Sequence, residues 1–355
     1  MGSVRRVDRP KPWLARYQGP DRRQHSKTFA RKVEAEAWLR NQEPTMDRAE
    51  WVDPRGDAKV FGDHADTWVK GLHELKPKTI NEYRWHLTSR VLPTFGDKRL
   101  RVIRPAMIRK WQNGLLADGL SAGTVRQSRQ VLSLILGQAV ADGMLVRNPV
   151  EKVKAPTVRP RRQLFLTAHQ LSELADECGD YRPLVWLLGW SGLRLGEAVG
   201  LRVGRVDASR RRVRVEEAAT EVRGKIVFGT PKTHEARTVI VPSYVIERMQ
   251  PLLDDRSPDQ FVFTAPRGGP LRANNFRKRV FSPAAERIGI PELVPHDLRD
   301  TAASLAISAG ASIKAVQRML GHASAKVTLD IYGGLFEEDL EALADILEDR
   351  YGERP

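Results

Sequence analysis

The sequence predicts a mostly α protein with an α+β C-terminal domain. A small N-terminal β-sheet backed by one helix comes first, then a helical bundle, then a domain in which helices flank short strands. Three observations predict this. Helical amphipathic periodicity runs from Val60 to Val150, β-like runs cluster before residue 30 and between Val213 and Phe263, and two proline-bearing polar stretches, 42–57 and 151–163, separate the parts. A chain of 355 residues is also longer than one ordinary core organises, which fits two or three domains.

In chain order, the first 40 residues hold eleven Lys/Arg against four acids. Trp13 to Gln18 and His25 to Phe29 read as strands around Gly19-Pro20-Asp21, and Arg31 to Asn41 reads as a helix with Val33, Ala37 and Trp38 on one face. Arg16, Arg22, Arg23 and Lys27 are then exposed, as in a nucleic-acid-binding module. A solvated basic domain, or an unfolded tail as far as Lys11, is the plainer alternative.

Four helices are expected next: Phe61 to Leu72; Lys78 to Leu92, stopped by Pro93; Pro105 to Leu116; and a fourth capped by Ser121 and running to about Asp142. Lys78, Arg126 and Arg129 lie on polar faces, which are ordinarily just solvated. Lys152, Lys154, Arg159, Arg161 and Arg162, interleaved with Pro156 and Pro160, mark an extended basic linker, either laid along a DNA backbone or a simple spacer. From Leu164 helices resume over 167–177, 183–190 and 195–201. Short strands follow at 212–216, 225–228 and 237–241, then helices from Asn274 to Ile288 and after His296. The expected division is 1–55, 58–150, a linker over 151–163, and 164–355.

Lys plus Arg outnumber Asp plus Glu by 59 to 44, a formal charge of +15, which favours a polyanionic partner. Cys178 is the single cysteine, so neither a disulfide framework nor a cysteine-based zinc site can form within the chain, and a reducing cytoplasm fits. Its apolar-acidic surroundings point to the core. No apolar signal region and no run of about 18 apolar residues is present.

Four strings in the C-terminal half carry candidate chemistry. In SGLRLGEAVGL, Arg194 stands at the mouth of a helix with Glu197 three residues on, either an oxyanion clamp or a surface ion pair. In GTPKTHEARTVIVP, Lys232 sits in a turn between short strands, where a lysine can reach into a cleft but is more often solvated. In PHDLRDTAAS, His296 and Arg299 at i and i+3 share a helix face and suit a pentacoordinate phosphate, unless they merely dress a helix start. In LGHASAKVTLDIYGGL, His322 precedes Tyr332, which two glycines follow. Such a tyrosine can swing, although a lone tyrosine at an apolar helix end is normally core.

In this order, Arg194, Lys232, His296-x-x-Arg299, His322 and Tyr332 resemble the tyrosine recombinase, or phage integrase, family, and specifically lambda-type integrases with an N-terminal arm-binding domain. The resemblance implies that 164–355 is the catalytic domain, 58–150 the helical core-site-binding domain and 1–55 the arm-type DNA-binding domain. Tyr332 would attack the scissile phosphorus and form a 3′-phosphotyrosyl link. Arg194 and Arg299 would neutralise the developing charge, and Lys232 would protonate the leaving 5′-oxygen. His296 would assist proton transfer at Tyr332, His322 would hydrogen-bond the phosphate, and Glu197 would orient the site. Neither a metal nor a nucleotide cofactor is required. The implied partners are double-stranded DNA attachment sites, three further copies of the chain in a homotetramer, a host DNA-bending protein and an excisionase. The place of work would be the bacterial cytoplasm, at the nucleoid, and the task integration of a phage or mobile element. The rivals are a chromosome-dimer or plasmid resolvase, a type IB topoisomerase, and a non-catalytic DNA-binding regulator. After Tyr332, Leu335 to Arg350 reads as an acidic amphipathic helix, with Phe336, Leu340, Leu343 and Leu347 on one stripe, docking on a neighbouring protomer or on its own domain.

Overall fold

The computed structural model describes residues 2–19, 23–47, 59–159, 161–230, 236–335, 345 and 347–352. It divides into two compact units, Met1–Pro160 and Arg161–Pro355. Among the described residues no helix is long and apolar enough to cross a membrane.

The first unit opens with an antiparallel sheet of β1 (Ser3–Arg6), β2 (Trp13–Gln18) and β3 (Gln24–Phe29), in that spatial order. Ala15 and Tyr17 share one buried face of β2, and α1 (Lys32–Asp47) covers it with Ala35 and with Trp38, whose ring lies 5.3 Å from Tyr17, while Leu14 is buried on the other face. The sequence left residues up to Lys11 open as an unfolded tail. Instead, Ser3–Arg6 pairs along β2, with Val4 opposite Ala15. That strand has no apolar alternation of its own and owes its form to an available edge.

The bundle follows: α2 (Phe61–Lys70), α3 (Pro77–His86), α4 (Leu92–Phe95), α5 (Pro105–Ala117) and α6 (Ala122–Ala141). Ser121 caps α6 as expected, accepting from the Thr124 amide at 3.2 Å. Pro93 does not stop the preceding helix. A π turn over Leu87–Val91 widens the coil ahead of the proline, so the ring and the missing N–H are accommodated and helix continues through Phe95. Phe61, Phe95, Leu100, Ile108, Leu132, Ile135 and Leu136 make the bundle core.

The second unit begins with α7 (Ala168–Glu177), capped by a Thr167–Gln170 box, then α8 (Arg182–Ser191) and α9 (Leu195–Val199). Five strands follow: β4 (Val206–Asp207), β5 (Arg212–Val215), β6 (Ala218–Val222), β7 (Lys225–Gly229) and β8 (Arg237–Ile240). They form one sheet in the order β4-β5-β8 and a separate β6-β7 hairpin. The remaining helices are α10 (Ser243–Leu253), α11 (Ala273–Phe276), α12 (Ser282–Arg287), α13 (Asp297–Ser308), α14 (Ile313–Leu320) and α15 (Ala325–Tyr332), with a second π turn, Arg277–Phe281, ahead of Pro283. The main core gathers Leu171, Leu184, Leu188, Val213, Phe276 and Leu298, and Cys178 lies in it with its thiol pushed up to about 12 by burial. A smaller cluster joins Ala303, Ile307, Val316, Leu320 and Tyr332. Of the helix expected over 335–350, residues 336–344 and 346 lie outside the described residues.

Candidate active site

Helix α8 packs on α13, and their C-terminal and N-terminal ends build the site. α8 ends at Gly192 in the left-handed region, φ 67°. A Cβ there would also stand 2.7 Å from Leu320 Cδ2, so both conformation and space call for glycine. The chain then turns directly into Arg194, the N-cap of α9. Glu197, in the first turn, closes back on it: the carboxylate accepts from the Arg194 amide at 3.0 Å and from Arg194 Nη1 at 2.9 Å. Arg237, the first residue of β8, forks onto the same carboxylate at 3.0 and 2.6 Å. Burial alone would raise the Glu197 pKa, but the Arg237 fork and then Arg194 outweigh it and hold the group below the ordinary carboxylate range. Glu197 is therefore a buried anion between two guanidinium groups.

Arg299 lies in the first turn of α13, only 3% exposed. It donates to the Gly192 carbonyl and, at 2.6 Å, to the Leu320 carbonyl. Burial first, then the positive neighbours Arg194 and Arg237, lower its pKa to about 10, which still leaves a cation at neutral pH. His322 follows Gly321, the left-handed cap of α14, and its Nδ1 lies 3.0 Å from the buried Thr328 hydroxyl. Burial, then Arg299, Arg194 and Arg237, push its pKa down to about 4. It is a neutral imidazole at pH 7, suited to hydrogen bonding and not to carrying charge. Tyr332 ends α15 with its ring in the small apolar cluster and its hydroxyl donating to Asp300 Oδ1 at 2.6 Å. Burial and then the Asp300 hydrogen bond raise its pKa, so the phenol is protonated.

His296 and Arg299 differ in exposure: His296, the N-cap of α13, is exposed, while Arg299 is buried. The Tyr332 hydroxyl bonds to Asp300, on the turn after His296. Lys232 lies outside the described residues, and its segment joins β7 to β8, which belong to different sheets and are not partners in one hairpin.

The profile of the Phage integrase family matches residues 164–338, that of the phage integrase N-terminal domain residues 1–48, and that of the phage integrase N-terminal SAM-like domain residues 60–116. The integrase of Mycobacterium phage L5 is 30% identical over 337 residues, covering 90% of this chain and 89% of that protein. The chain belongs to the phage integrase family. It is a tyrosine recombinase of the integrase type, an enzyme of DNA integration and recombination. The integrase of Mycobacterium phage D29 is also 30% identical, over 332 residues, covering 88% of this chain and 85% of the relative. Among solved structures, the Tn1549 transposon integrase in complex with transposon right end DNA superposes with a TM-score of 0.69 at 20% identity, over 81% of this chain and all of that one. A lambda integrase dimer bound to a COC' core site gives 0.61 at 19% identity, over 92% and 93%. The mostly helical fold with its small N-terminal sheet is thus the family's fold.

Within this integrase, the cations expected on DNA separate into two groups. Arg23, Lys27, Lys78, Arg126 and Arg162 are exposed, Arg16 is half-buried, and Arg22 lies outside the described residues. Lys27 stands over the Phe29 ring and Lys78 stands 3.9 Å from Glu82. Arg129, half-buried, and Arg161, still exposed, also make bonds within the fold. Arg129 Nη2 ties α6 to the following segment through the Val150 and Val153 carbonyls at 2.9 and 2.8 Å, and Arg161 forks onto the buried Asp297 at 2.9 Å on both oxygens. The sequence reading passed over Arg237, Asp300 and Thr328. For Arg237 a signal existed: with period two it shares a strand face with Val239 and Val241, both buried, and an inward arginine needs a carboxylate.

Proposed function

We propose that this recombinase integrates a phage or mobile element into a bacterial chromosome by cutting and rejoining double-stranded attachment sites as a homotetramer. One observation carries the reading: three separate strings of sequence bring Arg299 beside the phenol of Tyr332, and Arg299 and Arg194 beside a neutral His322. Attack on a phosphodiester concentrates negative charge on the non-bridging oxygens, and these preplaced cations meet it without reorganising. Tyr332 is the nucleophile and becomes joined to the 3′-phosphate. Lys232 protonates the departing 5′-oxygen and His296, at the mouth of α13, moves protons at the rim of the site. The phosphotyrosyl bond conserves the energy for rejoining, so the reaction needs neither a nucleotide nor a metal. Residues 1–55 grip arm sites, 58–150 the core site with 151–163 as linker, and 164–355 perform the chemistry. A host DNA-bending protein and an excisionase set the direction, at the nucleoid.

The test is Tyr332→Phe. The change removes one hydroxyl, while affinity comes mostly from phosphate contacts. The variant should shift target DNA in a gel like the wild type yet leave no covalent band with a nicked suicide duplex on a denaturing gel. A surviving band would show that another group attacks.

A further inference from the structure

We propose that Arg237 is a positioning residue for strand cleavage: it holds the Glu197 carboxylate, and through it keeps the Arg194 guanidinium available to the scissile phosphate. The inference rests on the reading of Arg194 as a phosphate clamp.

The geometry is specific. Both Nη atoms of Arg237 meet the two oxygens of Glu197, at 3.0 and 2.6 Å, while Arg194 reaches that carboxylate with one Nη and its backbone amide. The Arg237 side chain is 11% exposed and that of Glu197 1%. Two guanidinium groups, those of Arg194 and Arg237, share this one carboxylate, so the trio keeps a net positive charge. The division of labour follows. A buried carboxylate draws as many N–H donors as it can reach. With Arg237 forked onto it, Glu197 takes only one side-chain N–H from Arg194, and among the described residues no other hydrogen bond occupies the rest of that planar group, which can meet an oxyanion. Without Arg237, Arg194 is the remaining guanidinium on Glu197 and closes onto it as a neutralised pair.

A second contact makes the position exact. The Arg237 stem lies against Gly321, where a Cβ would stand 2.7 Å from Cδ and 3.0 Å from Nε, and Gly321 immediately precedes His322. Arg237 Nε is buried without a hydrogen-bond partner among the described residues, so this stem is placed by packing and by the Glu197 fork. One side chain therefore links β8, the first turn of α9 and the loop that bears His322. Lysine substitutes only in part, since a point charge does not fork onto two oxygens.

The test uses the full-length protein and a nicked duplex spanning the crossover region of the element that carries the gene. Its scissile phosphate is either ordinary or replaced by a neutral methylphosphonate. Arg237→Gln should slow formation of the Tyr332 adduct on the ordinary duplex by on the order of 10²-fold, the scale for losing one oxyanion-stabilising donor. Binding in a gel shift should stay within about threefold, since phosphate contacts elsewhere supply it. On the methylphosphonate duplex, which has no charge for Arg194 to meet, the deficit should shrink to about threefold or less by the same argument. Arg237→Lys should fall between wild type and Arg237→Gln on the ordinary duplex. Equal deficits on both duplexes would mean that Arg237 only supports folding, and an unchanged rate on the ordinary duplex would mean that it does nothing; either overturns the proposal. If Arg237→Gln does not fold, the comparison is made with Arg237→Lys, and failure of both to fold also overturns it. A wild-type protein that forms no adduct on the ordinary duplex would instead bring down the assignment of Tyr332.

Discussion

His322 shows how burial selects a chemical role. Its pKa of about 4 follows from desolvation and from Arg299, Arg194 and Arg237, so no proton is added in the range where DNA is handled. A neutral ring has one donor and one acceptor nitrogen, and the partner at Nδ1 decides which is which. When the Thr328 hydroxyl donates to Nδ1, the other nitrogen, Nε2, carries the proton and can donate to a phosphate oxygen. Thr328→Val keeps the volume and removes the hydroxyl. It should cost about 1 kcal/mol of stability, as for a lost buried hydrogen bond, and slow adduct formation about tenfold through loss of the correct tautomer. Stopped reactions on the nicked duplex, alongside thermal melts, measure both. A variant that loses stability yet cleaves at the wild-type rate would separate Thr328 from the tautomer.

At the level of elements, the helical bundle carries its own pH dependence. His64 on α2 is 2% exposed with Nε2 3.2 Å from the Ile135 carbonyl, and His86 on α3 is 6% exposed with Nδ1 2.9 Å from the Ser128 hydroxyl. Burial lowers both pKa values from the ordinary 6.5, although hydrogen bonds oppose it. The unfolded chain therefore takes up protons before the folded one does. Stability that is complete above about pH 6.5 is lost as pH falls through the ordinary value toward the folded ones. Urea melts followed by tryptophan fluorescence should show an earlier transition at pH 5.5 than at pH 7.5. The double variant His64→Gln, His86→Gln should flatten that difference. A wild-type midpoint independent of pH over this range would contradict the assignment. Within the same bundle, the π turn ahead of Pro93 lets helix continue past a proline.

For the whole molecule, the dominant quantity is the formal charge of +15, concentrated at the N-terminus. Phosphate contacts release counterions, and log K falls with log salt at a slope of about −0.9 per neutralised phosphate on duplex DNA. If residues 1–55 hold arm sites as proposed, their removal should leave core-site cleavage intact and abolish recombination of long attachment sites, since a second, tethered contact would go with them. The salt slope on arm-containing DNA should become shallower. The isolated 1–55 fragment should bind arm-site duplex and ignore the core site in a gel shift. A truncated protein that recombines long sites as well as the full chain would refute the arm-binding role.

Read by itself, the sequence determined what is local. Ser121 as a cap, the β2 strand and the amphipathic bundle follow from residues within one or two turns of each other, where propensity and capping act. The order of Arg194, His296, Arg299, His322 and Tyr332 marked the family for the same reason, since each string is short and self-contained. Tertiary structure decided the partners. Glu197 takes a second guanidinium from Arg237, 40 residues away, and the Tyr332 hydroxyl donates a hydrogen bond to Asp300, 32 residues away. Arg129, written like an exposed cation, is half-buried and held by the Val150 and Val153 carbonyls. A charged side chain is read correctly from sequence only while water is its partner. Once packing removes the water, the nearest group in space must replace it, and chain spacing does not specify which group that is.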